Sequence, residues 1–379
     1  MNKPIVYLDH AATTPLHSEV VRQMMEVLSS DFGNPSSTHQ LGRKAKQLME
    51  TARKKMAAIL GVQTSELIVT SGATEAINWI LKNAVSHLSI RTIVSSKMEH
   101  HATLHTLEYL SQNQGVQILW VRNNESGEID LNHLAELLQN RPAAMVAIMH
   151  VNNETGVVNP IEQIGTLCQQ HQALFMSDCV QSAGKMNLNL GQLPLDFAVL
   201  SAHKFNGPKG IGLAYIKKGI SMTPQLHGGE QEKGWRGGTE AVHQVVGMAA
   251  ALDLAHQHLA DNQAHLTALQ KYAISQLNTH FEGIHWNGAD PFCTILNISF
   301  PWPADMAPLL VFRLDLSGIA VSRGSACQSG SSKPSHVLAE MGPSNWLMAP
   351  SIRISFGVNT QKTDIDALVE ALLHLKPNG

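Results

Sequence analysis

Between residues 64 and 217, short apolar runs rich in β-branched residues alternate with amphipathic stretches, and this alternation limits the fold more than any other feature. The runs are "ELIVT" (66–70), "RTIVSS" (91–96), "VQILWV" (116–121), "AAMVAIMH" (143–150), "ALFMSD" (173–178), "DFAVLS" (196–201) and "GLAYI" (212–216). Both alternate positions of these runs are apolar, so each strand needs cover on two faces. A mostly parallel sheet flanked by helices supplies it. The spacing predicts helices over 75–88, with Ile77, Ile80, Leu81 and Ala84 on one face, over 130–139, and over 160–171 with Pro160 in the first turn. A longer helix over 38–61 comes first, and Gly61 can end it.

Near residue 240 the texture changes. Helical patterns over 241–259 and 262–281 lead to "CTILNISF", a helix near 304–316, "GIAVS", a Gly/Ser-rich loop, "SIRISF" and a closing helix, "TDIDALVEALLHL". The expectation is an α/β chain with a large domain over 16–258 and a smaller α+β domain built from 1–15 and 259–379. A chain of 379 residues with 44% hydrophobic content can bury cores of that size. A formal net charge of −3 gives no basic field for nucleic acid, so no direct nucleic-acid binding is expected. The N-terminal stretch has no apolar leader core, and no run reaches about 18 apolar residues. Four scattered cysteines form no C-x-x-C pair, so neither a disulfide framework nor structural zinc is suggested. Together these point to a cytoplasmic protein in a reducing compartment.

The stretch "VLSAHKFNGPKGIG" (199–212) ends an apolar strand in Ser, His and Lys. Lys204 lies against the strand end, where desolvation favours the neutral, nucleophilic amine; Lys209, in the turn "GPKG", reads as solvated. A strand that simply surfaces with polar residues explains this stretch about equally well. The neighbouring strand ends decide. Open α/β sheets bind ligands at the carboxyl ends of their strands, and these ends read "TSGATEA", "MEHHA", "MHVNNETG", "SDCVQS" and "SAHK".

"SGATEA" sets a Gly turn before a helix start, where free N–H groups hold a phosphate; the plain alternative is an N-cap by Thr74. Asp178 can cap a turn or pair with a cation or protonated ring nitrogen. His101 and His105 have the i, i+4 spacing of a metal pair, but no H-E-x-x-H accompanies them and the chain has 20 histidines. No resident metal is expected, and an imidazole stacked on a flat cofactor suits "MEHHA" better. Phosphate cradle, carboxylate, imidazole and lysine together match pyridoxal 5'-phosphate, with its phosphate, ring nitrogen, flat ring and aldehyde.

At this point the chain resembles the pyridoxal-phosphate-dependent cysteine desulfurases of the NifS/IscS type, within the class V aminotransferases of fold type I. The motifs that carry the resemblance are "YLDHAATTP", "FGNPSSTH", "SGATEA", "EHHA", "MHVNNETG", "DCVQSAGK", "SAHKFNGPKGIG", "HGGEQEKGWRGGTE", "SRGSACQSG" and "SIRISFG". The resemblance implies the following roles. Lys204 forms the Schiff base and moves the Cα proton, and Asp178 pairs with the ring nitrogen. His100 stacks on the ring and assists proton transfer, while Gln181 and Asn153 lie near the ring hydroxyl. Ser201, His203, Thr74 and the Ala73 backbone hold the phosphate, and Thr239 reaches the phosphate of the neighbouring subunit in a homodimer. Arg353 grips the substrate carboxylate with help from Asn34.

Cys327, in the Gly/Ser loop "SRGSACQSGSSKPS", is implied to take the sulfur of L-cysteine as a persulfide, release L-alanine and pass the sulfur to an acceptor protein. Arg323, four residues earlier, is a candidate to favour its thiolate. Iron–sulfur assembly, tRNA thiolation and DNA phosphorothioation are open destinations. The chain stops soon after "HLKPNG", without the longer tail of housekeeping members. Cys179, Val180 and His10 depart from the family's usual Ala, Thr and Tyr. Alternatives on the same fold are a selenocysteine lyase, a cysteine sulfinate desulfinase, an aminotransferase or a non-catalytic pyridoxal-phosphate-binding scaffold. The "RGSAC" loop favours desulfuration, since transamination needs no thiol.

Overall fold

The computed structural model describes residues 5–141, 143–324, 334–341 and 346–377. The chain enters through a short strand, β1 (Val6–Tyr7), and two helices, α1 (Ser18–Ser30) and α2 (Gln40–Leu60). Gly61 ends α2 in the left-handed conformation, with φ 67°. Then come β2 (Leu67–Thr70), α3 (Ala73–Ser86), β3 (Thr92–Ser95), α4 (His101–Gln114), β4 (Gln117–Trp120), α5 (Leu131–Leu138) and β5 (Ala144–Ala147). They are followed by α6 (Ile161–Gln170), β6 (Leu174–Asp178), β7 (Phe197–Ser201) and β8 (Gly212–Ile216). Every strand predicted in this half forms, within a few residues of its expected ends.

Strands β2 to β8 make one seven-stranded sheet in the order β2-β8-β7-β6-β5-β3-β4. Only β8 runs against its neighbours. Because β2 and β7 both pair antiparallel to β8, the carboxyl ends of β2, β3, β5, β6 and β7 share one edge. Alternation along the strands feeds two cores. On β7, Phe197 and Val199 join α3 and α4 on one face, while Ala198 and Leu200 join α2, α6 and α7 (Val242–Gln257) on the other. At roughly 25 cal/mol per Å² of apolar surface, these two layers supply most of the driving force of this part of the chain.

A third core is separate. It is built from α8 (Leu259–His280), β9 (His285–Trp286), β10 (Ile295–Ser299), α9 (Ala307–Leu316), β11 (Ile319–Ala320), β12 (Ser351–Ser355) and α11 (Lys362–Leu375), and it takes in Leu8 from the start of the chain; the short helix α10 (His336–Glu340) contributes no residue to it. Strand β1 pairs parallel with β11, while β9, β10 and β12 form a small antiparallel sheet. The N-terminal residues thus belong with the C-terminal third. From there they run to the carboxyl edge of the large sheet, where Thr14 N–H donates to the His203 carbonyl at 2.9 Å.

Gly212 opens β8 where three backbones crowd together. A Cβ there would stand 2.6 Å from the Leu200 carbonyl oxygen and 2.7 Å from Gly72 Cα. Gly212→Ala therefore forces β7 or the loop before α3 to shift. It should destabilise the protein by about 1–3 kcal/mol, read as a lower urea midpoint with an unchanged slope.

Candidate active site

A cavity of about 500 Å³ opens at the shared carboxyl edge. Ala73, Thr74, His100, Asn153, Asp178, Gln181, Ser201, His203, Lys204 and Arg353 all line it. Two expected residues do not: Asn34 and Thr239 are both exposed and stand outside the lining. Cys327 lies outside the described residues. Lys209 is exposed, as its turn suggested, yet it too borders the cavity.

Lys204 follows β7 in a single 3-10 turn, and its Nζ donates to the carbonyls of Ala11 at 2.6 Å and Ala12 at 2.7 Å. Asp178 closes β6 with its carboxyl enclosed. One oxygen accepts from Val180 N–H at 2.9 Å. Burial nevertheless pushes its pKa up to about 6, against the pull of that N–H and of Lys204. His100 caps α4, its Nδ1 accepting from Ala102 N–H at 3.1 Å. That bond leaves the ring hydrogen on Nε2. Burial, followed by the Lys204 cation and the neighbouring His101, His336 and His105, lowers His100 to about 4, so the ring is neutral at pH 7. Beside it, Glu99 is buried and accepts from Met149 N–H at 2.8 Å; burial holds its pKa well above the ordinary range.

At the start of α3 the N-cap is Gly72, not Thr74, and no side chain caps the helix. Free N–H groups therefore face the cavity at the positive end of a 14-residue helix. A Cβ on Gly72 would meet no protein atom within 4 Å, so the space above this turn is open to a ligand. His203 lines the same cavity, its Nδ1 3.2 Å from Thr13 Oγ1. Glu75 also borders this cradle, but its carboxylate is held by Arg236 at 2.9 Å and by Ser71 N–H at 2.8 Å.

Arg353, on β12, is 1% exposed and already partly committed. Its Nη2 pairs with Asp9 at 2.7 Å and its Nη1 donates to the Asn153 carbonyl at 2.9 Å, while Nε has no partner. Sequence reasoning missed Asp9, although "YLDHAATTP" contains it. It also missed Ala11 and Ala12 as the lysine's holders. Cys179, left open as a second reactive thiol, is fully buried in the core rather than in the cavity. Burial pushes it up to about 12, so it stays a thiol. The rings of His101, His105 and His336 cluster at 4.5–5.0 Å. Among the described residues, however, no three His, Cys, Asp or Glu side chains are placed to hold a metal, and no helix is long and apolar enough to cross a membrane.

Residues 6–368 match the family described as aminotransferase class-V. The chain belongs to that family. It is 37% identical over 369 residues to the cysteine desulfurase IscS of Dictyoglomus turgidum, covering 97% of this chain and 93% of the relative. A solved NifS-like protein superposes with a TM-score of 0.90 at 34% identity, covering 98% of this chain and 99% of the other. SspA in complex with cysteine gives a TM-score of 0.80 at 32% identity, with 92% and 98% covered. Within its family the chain therefore sits on the cysteine desulfurase branch.

The raised pKa of Asp178 makes a signed prediction for the protein without ligand. Below about pH 4 the acid is protonated both folded and unfolded. Above its folded pKa it carries a buried charge, and the stability present at low pH is lost as pH rises through about 6. Asp178→Asn removes that charge. It should be more stable than wild type by about 2–3 kcal/mol at pH 8, with the gap closing towards pH 4 in urea denaturation.

Proposed function

We propose that this cavity removes sulfur from L-cysteine with pyridoxal 5'-phosphate as cofactor, giving L-alanine and a persulfide on Cys327 that passes to an acceptor protein. The convergence of Lys204, Asp178, His100 and the uncapped start of α3 on one cavity carries the reading. The residues fit the cofactor: open space at Gly72 and free N–H groups suit a phosphate, and an enclosed carboxyl suits a ring nitrogen. When bound, the cofactor supplies an aldehyde for an amine and an electron sink for the substrate's Cα.

Ser201, His203, Thr74 and the Ala73 N–H would hold the phosphate. A cationic ring nitrogen beside Asp178 would draw its carboxyl back to the ionised form. Neutral His100 would cover the ring face and, with Nδ1 occupied, offer Nε2–H as a donor. Asn153 and Gln181 would flank the ring oxygen. Arg353 lines the cavity and is fixed by Asp9; two of its five N–H donors are engaged by Asp9 and the Asn153 carbonyl, and the remaining ones would serve the substrate carboxylate. Lys204, as the neutral amine, would take the Cα proton at Nζ. The Cys327 thiolate then attacks the substrate sulfur. An S–S bond forms as the substrate's Cβ–S bond breaks, and the electron pair left on Cβ picks up a proton to give alanine.

A homodimer belongs to the same proposal. Val21, Met25, Leu28 and Phe32 expose a continuous apolar stripe along and just beyond α1, ending beside Asn34. A partner subunit over this stripe would bring Asn34 and the exposed Thr239 loop into a composite site. We further propose that the third core marks a small domain of 1–15 and 259–379 set against 16–258.

Borohydride reduction of the loaded protein should leave the pyridoxyl label on the peptide that contains Lys204; a label on any other lysine overturns the assignment. Cys327→Ala should keep the visible absorption of the bound cofactor while losing sulfide release from L-cysteine by more than about a hundredfold. Undiminished sulfide release would remove the persulfide step and leave the cofactor site standing.

A further inference from the structure

Beyond Asp178 the chain makes a buried turn over 179–186, in which Ala183 N–H donates to the Cys179 carbonyl and Met186 N–H to the Ser182 carbonyl. Gln181, 3% exposed, lines the cavity from this turn. Its Nε2 donates to the Ala11 carbonyl at 3.0 Å, and its Oε1 accepts from Lys185 Nζ at 3.0 Å. An ammonium offers only hydrogens and a peptide carbonyl only lone pairs. Reversing the amide would set NH₂ against NH₃⁺ and oxygen against oxygen. The neighbours' chemistry therefore fixes which way Gln181 points, and the second hydrogen on Nε2 stays free for a ligand.

Lys185 holds this position at a cost. Part of its side chain is accessible, but the amine is turned inward. Burial lowers its pKa to about 7, with the Lys204 and Arg353 cations adding to the effect and only the Cys293 thiol opposing it. Among the described residues no acidic side chain forms an ion pair with it. A methionine would fill the space without desolvating a charge. What the amine adds is the hydrogen bond to Gln181.

We propose that Lys185 is a positioning residue: by claiming Oε1 of Gln181 it aims the amide N–H at an acceptor oxygen on the ring of the bound cofactor. The inference rests on the pyridoxal-phosphate reading above. Lys185 is absent from the cavity lining, so its effect passes through Gln181. A donor at the ring oxygen favours the chromophore form with more negative charge there, which lowers the chromophore's pKa.

The test is a pH titration of the visible absorption of the loaded enzyme. Lys185→Met and Gln181→Ala should each raise the chromophore pKa by about one pH unit, a tenfold change in proton affinity. The double variant should shift no further than either single one. Lys185→Arg keeps a charged donor and should stay within a few tenths of wild type. Additive shifts in the double variant overturn the proposal, as does an unshifted Lys185→Met beside a shifted Gln181→Ala. Where Lys185→Met yields no folded protein, a Lys185→Arg shift as large as that of Gln181→Ala overturns it instead. A wild-type protein that gains no visible band with pyridoxal phosphate removes the cofactor reading itself, an outcome distinct from these.

Discussion

Lys204 is held by two carbonyls from the far end of the chain, and the site depends on that contact. Residues 11–14 leave the C-terminal core after β1 and cross to the carboxyl edge of the large sheet. There Ala11 and Ala12 receive the lysine, Ala11 also receives Gln181, and Thr14 binds the backbone of His203 and Asn206. A lysine at a strand end is otherwise a long, mobile chain that carries about 2 kcal/mol of rotamer entropy. Two charge-assisted hydrogen bonds confine it before any ligand arrives. The same segment supplies Asp9, which fixes Arg353. One crossing strand end thus orders the Lys204 amine, the Gln181 amide and the Arg353 guanidinium.

The sheet explains why so much polarity gathers at one edge. Strands β5, β7 and β8 are buried along their whole length, so their polar side chains can emerge only at the ends. That logic was legible in the sequence, because nearly all-apolar runs that end in Ser, His, Asp or Lys leave those groups nowhere else to go. The reversal of β8 emerged only with the structure, though chain length accounts for it. The connection over 202–211 is shorter than the dozen or so residues that a parallel crossover needs. Three further things were not visible. The Asp9–Arg353 pair spans almost the whole chain, and no local periodicity reports such a contact. Gly72 displaced Thr74 as the cap of α3, because the helix starts two residues earlier than the hydroxyl suggested. Lys185 reads as an ordinary polar residue after a Gly turn, and only the folded turn shows its amine directed inward.

Charge at the cavity is balanced by pairs, with an excess left over. Glu75 is offset by Arg236, and Asp9 by Arg353. What remains is Lys204 and Lys209 against Asp178, whose carboxyl is itself reluctant to ionise. A ligand with a doubly charged phosphate and a cationic ring nitrogen matches this pattern at both ends. It would place negative charge at the helix start and near the lysines, and positive charge beside Asp178, a cavity-lining acid that no ion pair offsets among the described residues.

The histidines complete this balance by staying neutral. Burial, with a smaller push from nearby cations, lowers the cavity-lining His100 and His203 to about 4. Protonated imidazoles here would add to an existing positive surplus in a poorly solvated space. Kept neutral, they supply hydrogen bonds and flat surface without charge. Their state then does not change between about pH 5 and 8, the range in which histidine ordinarily titrates. Between about pH 5 and 8 the charge around the cavity therefore changes through Asp178 and Lys185, with pKa values of about 6 and about 7, and not through these imidazoles.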